Sequence, residues 1–132
     1  MRFSTRTEYG LRAILRVASS GKKPYSLAKI SRLEGISLSY LEKLFVKLKK
    51  GGFVESTRGM KGGYVLKRPA SKIRVNEVIE VLEGSLAPFY CVDFKGKKYA
   101  CQQKCLTQKV WRRLYQEIYQ TLNSITLKDL IK

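Results

Sequence analysis

Apolar residues recur at three- and four-residue spacing along most of the chain, which predicts a mainly helical fold. The first predicted helix begins where Thr5 and Glu8 have the Thr-x-x-Glu form of a capping box, and it ends before Gly21. A second, short helix follows Ser26, a good N-cap residue, and ends at Gly35. The residues that we expect to face the core from these two helices are Leu11, Ile14, Leu15, Ala18, Leu27, Ile30 and Leu33.

A third predicted helix starts at Ser37, which can cap it, and Ile36 before the cap can pack onto Leu41. The short turn between the second and third helices contains Gly35, as is typical of a helix-turn-helix. The third helix should bury one face and leave the other free to meet a ligand. The predicted buried face consists of Leu41, Leu44, Phe45 and Leu48, and the free face of Ser39, Glu42, Lys43, Val46, Lys47 and Lys50.

Two β-rich runs follow the third helix. Residues 53–57 and 63–67 flank a loop that is rich in glycine and positive charge, residues 58–62. This pattern predicts a β-hairpin with a basic tip. A helix-turn-helix followed by a glycine-tipped hairpin in a basic segment is typical of a winged helix-turn-helix domain.

In the second half of the chain, the helical periodicity is lost and then regained. A fourth helix, marked by Val75, Val78, Ile79 and Leu82, is closed by Gly84, and the helical periodicity is then lost until about Leu106. A long C-terminal helix of about five turns then carries an apolar stripe, which either pairs with the same helix of a second chain or packs on its own domain. The stripe consists of Val110, Trp111, Leu114, Tyr115, Ile118, Leu122 and Ile125.

These patterns predict a mainly α fold with a small β-hairpin wing, followed by a long dimerisation helix. We divide the chain into a winged helix-turn-helix DNA-binding domain, a cysteine-bearing sensor loop, and a dimerisation helix with the C-terminal segment. The three parts span residues 1–84, 85–105 and 106–132.

The net charge of the chain indicates the kind of partner it binds. Lys and Arg number 27 against 10 Asp and Glu, a net charge of +17. The excess lies in the predicted reading head, because residues 1–72 hold 17 basic and 4 acidic groups, and the remainder 10 and 6. A polyanion such as DNA is the natural partner, with a solvated basic surface or an anionic membrane surface as alternatives. The chain has neither an apolar run of transmembrane length nor a signal sequence, so we expect a cytoplasmic protein that does not bind membranes.

The three cysteines need an explanation of their own. An odd number of cysteines in a reducing compartment does not form a disulfide framework. Cys91, Cys101 and Cys105 lie within fifteen residues of one another. Thiolates are the ligands that iron–sulfur clusters prefer, although small buried thiols are the ordinary alternative. The chain has no histidine, so a fourth ligand would have to be another residue type.

Five stretches, spread nearly from one end of the chain to the other, carry a family resemblance: residues 1–4 with Tyr9, 36–42, 54–59 with 62–64, 105–112 and 122–127. They resemble the Rrf-type family of bacterial winged helix-turn-helix regulators, which includes IscR, NsrR and CymR branches. The resemblance implies a homodimeric transcription factor whose operator affinity depends on an iron–sulfur cluster, 2Fe-2S or 4Fe-4S, held near the dimer helix. The chain departs from the IscR pattern in its cysteine spacing and at Gln108, where that branch has a histidine ligand. Resemblance to the NsrR branch offers Glu8 of the other subunit as the fourth ligand, although Glu8 also completes the predicted capping box.

The reading head supplies the candidate DNA contacts. Ser37, Ser39 and Tyr40 lie near the start of the recognition helix, and the resemblance adds Glu42 and Lys43. Glu42 could accept from a cytosine amino group, or it could simply be a solvated charge paired with a lysine. The remaining candidates are Arg58 and Gly59 for the minor groove, and Lys47 and Lys61 for phosphates.

The sequence thus predicts a DNA-binding regulator, a repressor, that reads a palindromic operator under control of a cluster on the cysteine loop. One alternative is a cluster-free regulator controlled by thiol oxidation or by a protein partner, as in the CymR branch. Another is a general nucleic-acid binder with a zinc-stapled loop. An enzyme is disfavoured, because the chain lacks histidine, a glycine-rich nucleotide loop after a strand, and a carboxylate pair in a plausible cleft.

Overall fold

The predicted helix-turn-helix and wing form the first part of the fold. The computed structural model describes residues 2–57, 62–93 and 105–131. The described helices are α1 (Thr5–Ser19), α2 (Leu27–Glu34), α3 (Leu38–Lys50), α4 (Val75–Glu83), α5 (Gln108–Asn123) and α6 (Leu127–Leu130). The described strands are β1 (Val54–Thr57) and β2 (Gly63–Leu66), and short 3-10 helices span Ala70–Lys72 and Tyr90–Val92.

Local signals set the ends of α2 and α3 as predicted. The Ser26 hydroxyl accepts from the Lys29 N–H at 3.1 Å, and the Ser37 hydroxyl accepts from the Tyr40 N–H at 3.3 Å. Gly35 ends α2 in the left-handed region, with φ of +66°, where glycine avoids the steric cost of a Cβ. The turn therefore fixes the direction of α3 relative to α2.

The predicted capping box at the start of α1 is wrong. Ser4 holds the N-cap position without a side-chain cap, and Glu8 instead pairs with Arg12 one turn later on the exposed face. The first turn of α1 is instead bound by a carboxylate from another helix. Glu83, the last residue of α4, accepts from the Ser4 N–H at 3.1 Å, from the Ser4 hydroxyl at 2.8 Å and from the Thr7 hydroxyl.

The main core lies between α1, α3, α4 and the hairpin. The four predicted core residues of α3, which are Leu41, Leu44, Phe45 and Leu48, are all buried there. Leu33, which we expected to point inward from α2, is 51% exposed. Helix α2 is only eight residues long and buries Ile30 alone, whereas Ile36 beyond the turn is buried in the core.

The hairpin is anchored at its base. Strands β1 and β2 are antiparallel, with Val54 opposite Leu66 and Thr57 opposite Gly63. Tyr25 adds a bridge on the other side of β2, because its N–H and carbonyl each bond to Tyr64 at 3.0 and 2.9 Å. Gly63 permits this approach, since a Cβ there would lie 2.7 Å from the Tyr25 backbone.

The C-terminal segment returns to the first domain. The carbonyl of Ile125 accepts from the Val75 N–H at 2.9 Å, and the Leu127 N–H donates to Ile73 at 3.0 Å. Leu127 is fully buried in the main core, just after Thr126 caps the short helix α6. Helix α5 thus starts beside the cysteine loop and ends against the DNA-binding domain. The division of the chain into three functional parts stays a prediction.

Helix α5 uses its apolar stripe in two ways. Tyr115 is buried in a second cluster with Val75, Ile79, Leu86 and Val92, which joins α5 to α4 and to the loop after it. Other stripe residues, including Val110 and Leu114, are exposed. Across the described residues, every helix is too short or too polar to cross a membrane.

Candidate nucleic-acid interface and metal site

The free face of α3 is arranged as a reading surface. Ser37, Ser39, Glu42, Lys43 and Lys47, all predicted to contact DNA, are exposed. The buried residues on the opposite side hold α3 against α1 and α4. The structure therefore presents these five predicted contacts together on one rigid element, which suits insertion into a groove.

Tyr40 combines a packing contact with a predicted DNA contact. It is half-buried, and its ring meets the ring of Tyr9 on α1 edge to face, with 6.0 Å between the centroids. This geometry is favourable for aromatic pairs. Tyr40 therefore ties the start of the recognition helix to α1 in addition to lying among the predicted DNA contacts.

Two charged residues of α3 differ in what they contact. The ammonium group of Lys49 donates to the Ser56 hydroxyl at 3.2 Å, which links the end of α3 to β1. Within the described part of the chain, Glu42 forms no ion pair, whereas three other glutamates pair with arginines. The paired-charge interpretation of Glu42 therefore has no described partner, and its carboxylate faces solvent beside Lys43.

The wing is described at its base only. The Thr57 hydroxyl accepts from the Gly63 N–H at 3.0 Å and donates to the Gly63 carbonyl at 3.2 Å, which closes the hairpin below its tip. Arg58, Gly59 and Lys61, the predicted wing contacts, lie outside the described residues. Their roles stay predictions.

Two of the three cysteines lie beside the first turn of α5. Cys91 is half-buried in the 3-10 helix Tyr90–Val92, and Cys105 is exposed just before α5. Gln108 contacts both of them: its main-chain N–H donates to the Cys105 carbonyl at 3.2 Å, and its side-chain amide donates to the Cys91 carbonyl at 3.4 Å. Cys101 lies outside the described residues.

The chemistry of Cys105 suits a ligand. Its sulfur lies 3.0 Å from the Thr107 hydroxyl. The hydrogen bonds from the Thr107 side chain and main chain lower the pKa of the Cys105 thiol, and this outweighs the small opposing effect of burial. A lowered pKa increases the fraction of thiolate, which is the form that binds metals and attacks electrophiles.

The Cys91 side of this site is apolar. Phe89 and Trp111 meet edge to face with 4.9 Å between their ring centroids. Cys91 and Trp111 both pack against the second apolar cluster. An apolar wall of this kind limits solvent access to a metal site.

The candidate fourth ligand stands apart. Glu8 is exposed on α1 and paired with Arg12. Among the residues that the structure describes, no three Cys, Asp or Glu side chains come together as a metal-binding group. Glu8 of one chain therefore does not join Cys91 and Cys105 of the same chain in such a group.

One important residue was absent from the sequence interpretation. Glu83 joins the end of α4, just before the cysteine loop, to Ser4 and Thr7 of α1. Burial raises the pKa of the Glu83 carboxyl, but hydrogen bonds from Thr7 and Ser4 outweigh it, so the pKa is lowered. The signal was present: an acidic residue is unfavourable at a helix C-terminus, which indicates a partner outside the helix.

A helix-turn-helix with a hairpin base, a basic reading face and a long C-terminal helix defines the class of winged-helix DNA-binding regulators. The Rrf2 family of iron-dependent transcriptional regulators matches residues 3–132. The chain belongs to this family.

Individual relatives agree. The transcriptional regulator IscR of Xenorhabdus nematophila is 44% identical over 135 residues, which cover 100% of this chain and 80% of the relative. IscR of Klebsiella pneumoniae is 45% identical over 134 residues, with 99% and 80% covered. The chain is a DNA-binding transcriptional regulator of the IscR type. These relatives are named as regulators, not as enzymes.

Solved structures show the same fold. CymR, the global cysteine regulator of B. subtilis, has a TM-score of 0.83 at 31% identity, with 99% of this chain and 96% of that chain covered. IscR of T. potens has a TM-score of 0.79 at 35% identity, with 99% and 86% covered. The oxidized form of Staphylococcus aureus CymR has a TM-score of 0.79 at 29% identity, with 100% and 97% covered.

Proposed function

We propose that this chain is a cytoplasmic, homodimeric repressor whose affinity for a palindromic operator is set by an iron–sulfur cluster on Cys91, Cys101 and Cys105. The observation that carries the proposal is the position of Gln108. Its two hydrogen bonds attach the backbones of Cys91 and Cys105 to the first turn of α5. Ligands held at this place act directly on the helix that we assign to dimerisation.

The described donors fit a cluster in chemical terms. Cys105 combines exposure with a lowered thiol pKa, and Cys91 packs against the second apolar cluster. Thiolates are the usual ligands of iron–sulfur clusters. When bound, a cluster supplies a redox-active and removable group whose loss or oxidation reports on iron, oxygen or nitric oxide. The proposed cluster is of the 2Fe-2S or the 4Fe-4S type.

Glu8 of the partner subunit is the proposed fourth ligand. Two observations support donation between chains. Glu8 is exposed, and within one chain it joins no metal-binding group with the described cysteines. Its ion pair with Arg12 is weak enough to be replaced, because exposed pairs of this kind contribute about 0.5 kcal/mol or less.

Helix α5 is the proposed dimer interface. Val110, Leu114 and Ile118 recur every four residues along one side of the helix, and the first two are exposed. A two-fold pairing of such faces would bury them against each other. A two-fold dimer also suits a palindromic operator, because each chain then reads one half-site.

A described path joins the cysteine loop to the reading head. Glu83 at the start of the loop binds Ser4 and Thr7 of α1, and Tyr9 of α1 packs on Tyr40 of α3. We infer that cluster binding orders residues 85–105, shifts α4 and α5, and changes the separation or tilt of the two recognition helices. The cluster state then sets operator affinity without touching DNA.

Anaerobic reconstitution tests the cluster. The protein is incubated with iron and sulfide, desalted, and measured for visible absorbance and bound iron. We expect a charge-transfer band with stoichiometric iron in the wild type, and neither in the Cys91→Ala, Cys101→Ala, Cys105→Ala triple variant. Absence of the band in the wild type, or a band that survives in the triple variant, rejects the proposal. Far-ultraviolet circular dichroism of the triple variant serves as the folding control.

Thiol oxidation is the second candidate, and the lowered pKa of Cys105 favours it. In that case hydrogen peroxide should change the operator affinity of protein that contains no iron, and a thiol reductant should reverse the change. A Cys105→Ser variant should then be insensitive to peroxide. The two candidates separate cleanly, because only the cluster predicts a requirement for iron.

A further inference from the structure

A row of four side chains runs along the centre of the free face of α3, and one of them is apolar. Ser39, Lys43, Val46 and Lys50 stand at positions i, i+4, i+7 and i+11, so they share one side of the helix. All four are exposed. They lie opposite the buried face, so this row reaches furthest from the domain.

The fold does not account for Val46. Its side chain is 52% exposed and belongs to neither apolar cluster, whereas Leu44, Phe45 and Leu48 around it in sequence fill the main core. Its neighbours one turn away are Glu42, Lys43, Lys49 and Lys50, all exposed. A single branched apolar side chain among charges is too small for a protein-docking patch.

A DNA groove offers one partner of matching chemistry. The base edges of the major groove are polar except for the C5-methyl group of thymine, which is contacted by apolar side chains. A branched side chain in the middle of a reading row meets such a methyl without burying a polar group. Polar side chains in the same row meet the adjoining base edges or phosphates.

We propose that Val46 is a specificity-determining residue that recognises thymine through its C5-methyl group. Val46 lies seven positions after Ser39, which is about 10 Å along the helix, or about three base-pair steps. Ser39 and Val46 therefore address different base pairs of one half-site. The inference rests on sequence-specific DNA binding by α3, and is independent of the cluster.

Removal of individual thymine methyl groups from the DNA tests the proposal. A preferred operator is first selected from random duplexes with the full-length wild-type protein. Each thymine of the selected site is then replaced by deoxyuridine, which lacks only the methyl group. Each duplex carries one replacement, and the positions of both half-sites are tested in turn. Dissociation constants are measured by fluorescence anisotropy for the wild type, Val46→Ala, Val46→Thr and Leu33→Ala. Leu33 is the matched control, because it is equally exposed but lies on α2.

One thymine per half-site should be sensitive in the wild type, with binding weakened about fourfold for each methyl removed. Val46→Ala should abolish that sensitivity, Val46→Thr should keep part of it, and Leu33→Ala should leave it unchanged. Circular dichroism should show that all variants are folded, since both positions are exposed.

Two results overturn the inference in distinguishable ways. If wild-type binding is insensitive to every deoxyuridine, or if the sensitive position is the same in Val46→Ala, then Val46 does not recognise a methyl group although α3 still reads DNA. If selection returns no preferred sequence, the reading surface itself is misassigned and the inference falls with it. Neither result bears on cluster binding, which the absorbance experiment tests separately.

Discussion

The side-chain amide of Gln108 donates a hydrogen bond to the main-chain carbonyl of Cys91, with 3.4 Å between the two atoms. The main-chain N–H of the same residue binds the Cys105 carbonyl. One residue in the first turn of α5 therefore fixes the backbone at both described cysteines. This arrangement explains how a ligand on the loop can act on α5.

Substitution of Gln108 should change cluster retention in two directions. Gln108→Ala removes the bond to Cys91 and should hasten cluster loss to a chelator by several-fold, because loss of outer-shell contacts typically weakens metal sites about tenfold or more. Gln108→His places an imidazole where the IscR pattern has one, and should slow the loss. The decay of visible absorbance under anaerobic chelation measures both. Equal decay rates in all three proteins would show that Gln108 has no part in the site.

The bond between Glu83 and α1 should contribute to stability. Glu83→Ala leaves the buried Thr7 hydroxyl without its acceptor, which should cost about 1–3 kcal/mol of unfolding free energy. The matched control is Glu55→Ala, at an exposed position on β1. Urea denaturation of both variants gives the difference. A Glu83→Ala protein as stable as its control contradicts the assignment.

The same bond should depend on pH. The folded state lowers the pKa of Glu83, so the charged carboxylate favours folding. Its contribution is fully present above the ordinary glutamate pKa, about 4.3, and is lost as pH falls through the lowered folded-state value. The stability difference between wild type and Glu83→Gln should therefore shrink below about pH 4. Thermal unfolding from pH 3 to 7 checks this, and a difference that grows on acidification would reverse the sign of the argument.

Two leucines with the same expected role should differ in stability. Leu48→Ala removes a fully buried side chain and should cost about 2–5 kcal/mol, whereas Leu33→Ala on the surface should change stability by about 0.5 kcal/mol or less. Chemical denaturation of the two variants measures the difference directly. Similar losses would mean that Leu33 packs inward after all.

These leucines show how far sequence periodicity reaches. In α3, thirteen residues long, spacing identified every core residue, because a long amphipathic helix has one defined apolar face. In α2, eight residues long, the same rule failed at Leu33, because a short helix has too few turns for spacing to define one buried face. Caps at Ser26 and Ser37 were predictable, since they depend on adjacent residues alone.

Contacts between distant parts of the chain could not be predicted from the sequence. Nothing local pairs Glu83 with Thr7, or places Leu127 in the core of the first domain. The same distinction between local pattern and long-range contact applies to the candidate site. Spacing identified the free face of α3, which is exposed, and the grouping of the three cysteines stays a prediction. The bonds of Gln108 to two of those cysteines could be seen only from three-dimensional positions.

Wing and helix should contribute differently to DNA binding. Arg58→Ala should weaken operator binding by about 1–3 kcal/mol and relax preference at the operator flank. Lys47→Ala should weaken all sequences alike and reduce the salt dependence by about one counterion. Mobility-shift titrations on operator and random duplexes at several salt concentrations separate the two. Unchanged operator affinity in Arg58→Ala would remove the wing from the reading surface.

Control of operator affinity by the cluster is the central claim, and one titration tests it most directly. Operator binding is measured anaerobically on one preparation before and after the cluster is removed by chelation. Trp111, the one tryptophan in the chain, reports the state of the loop by fluorescence. We predict a change in dissociation constant of about tenfold on removal, a parallel change in Trp111 emission, and no change in the triple cysteine variant. Equal affinity with and without the cluster, or the same shift in the triple variant, would contradict the account.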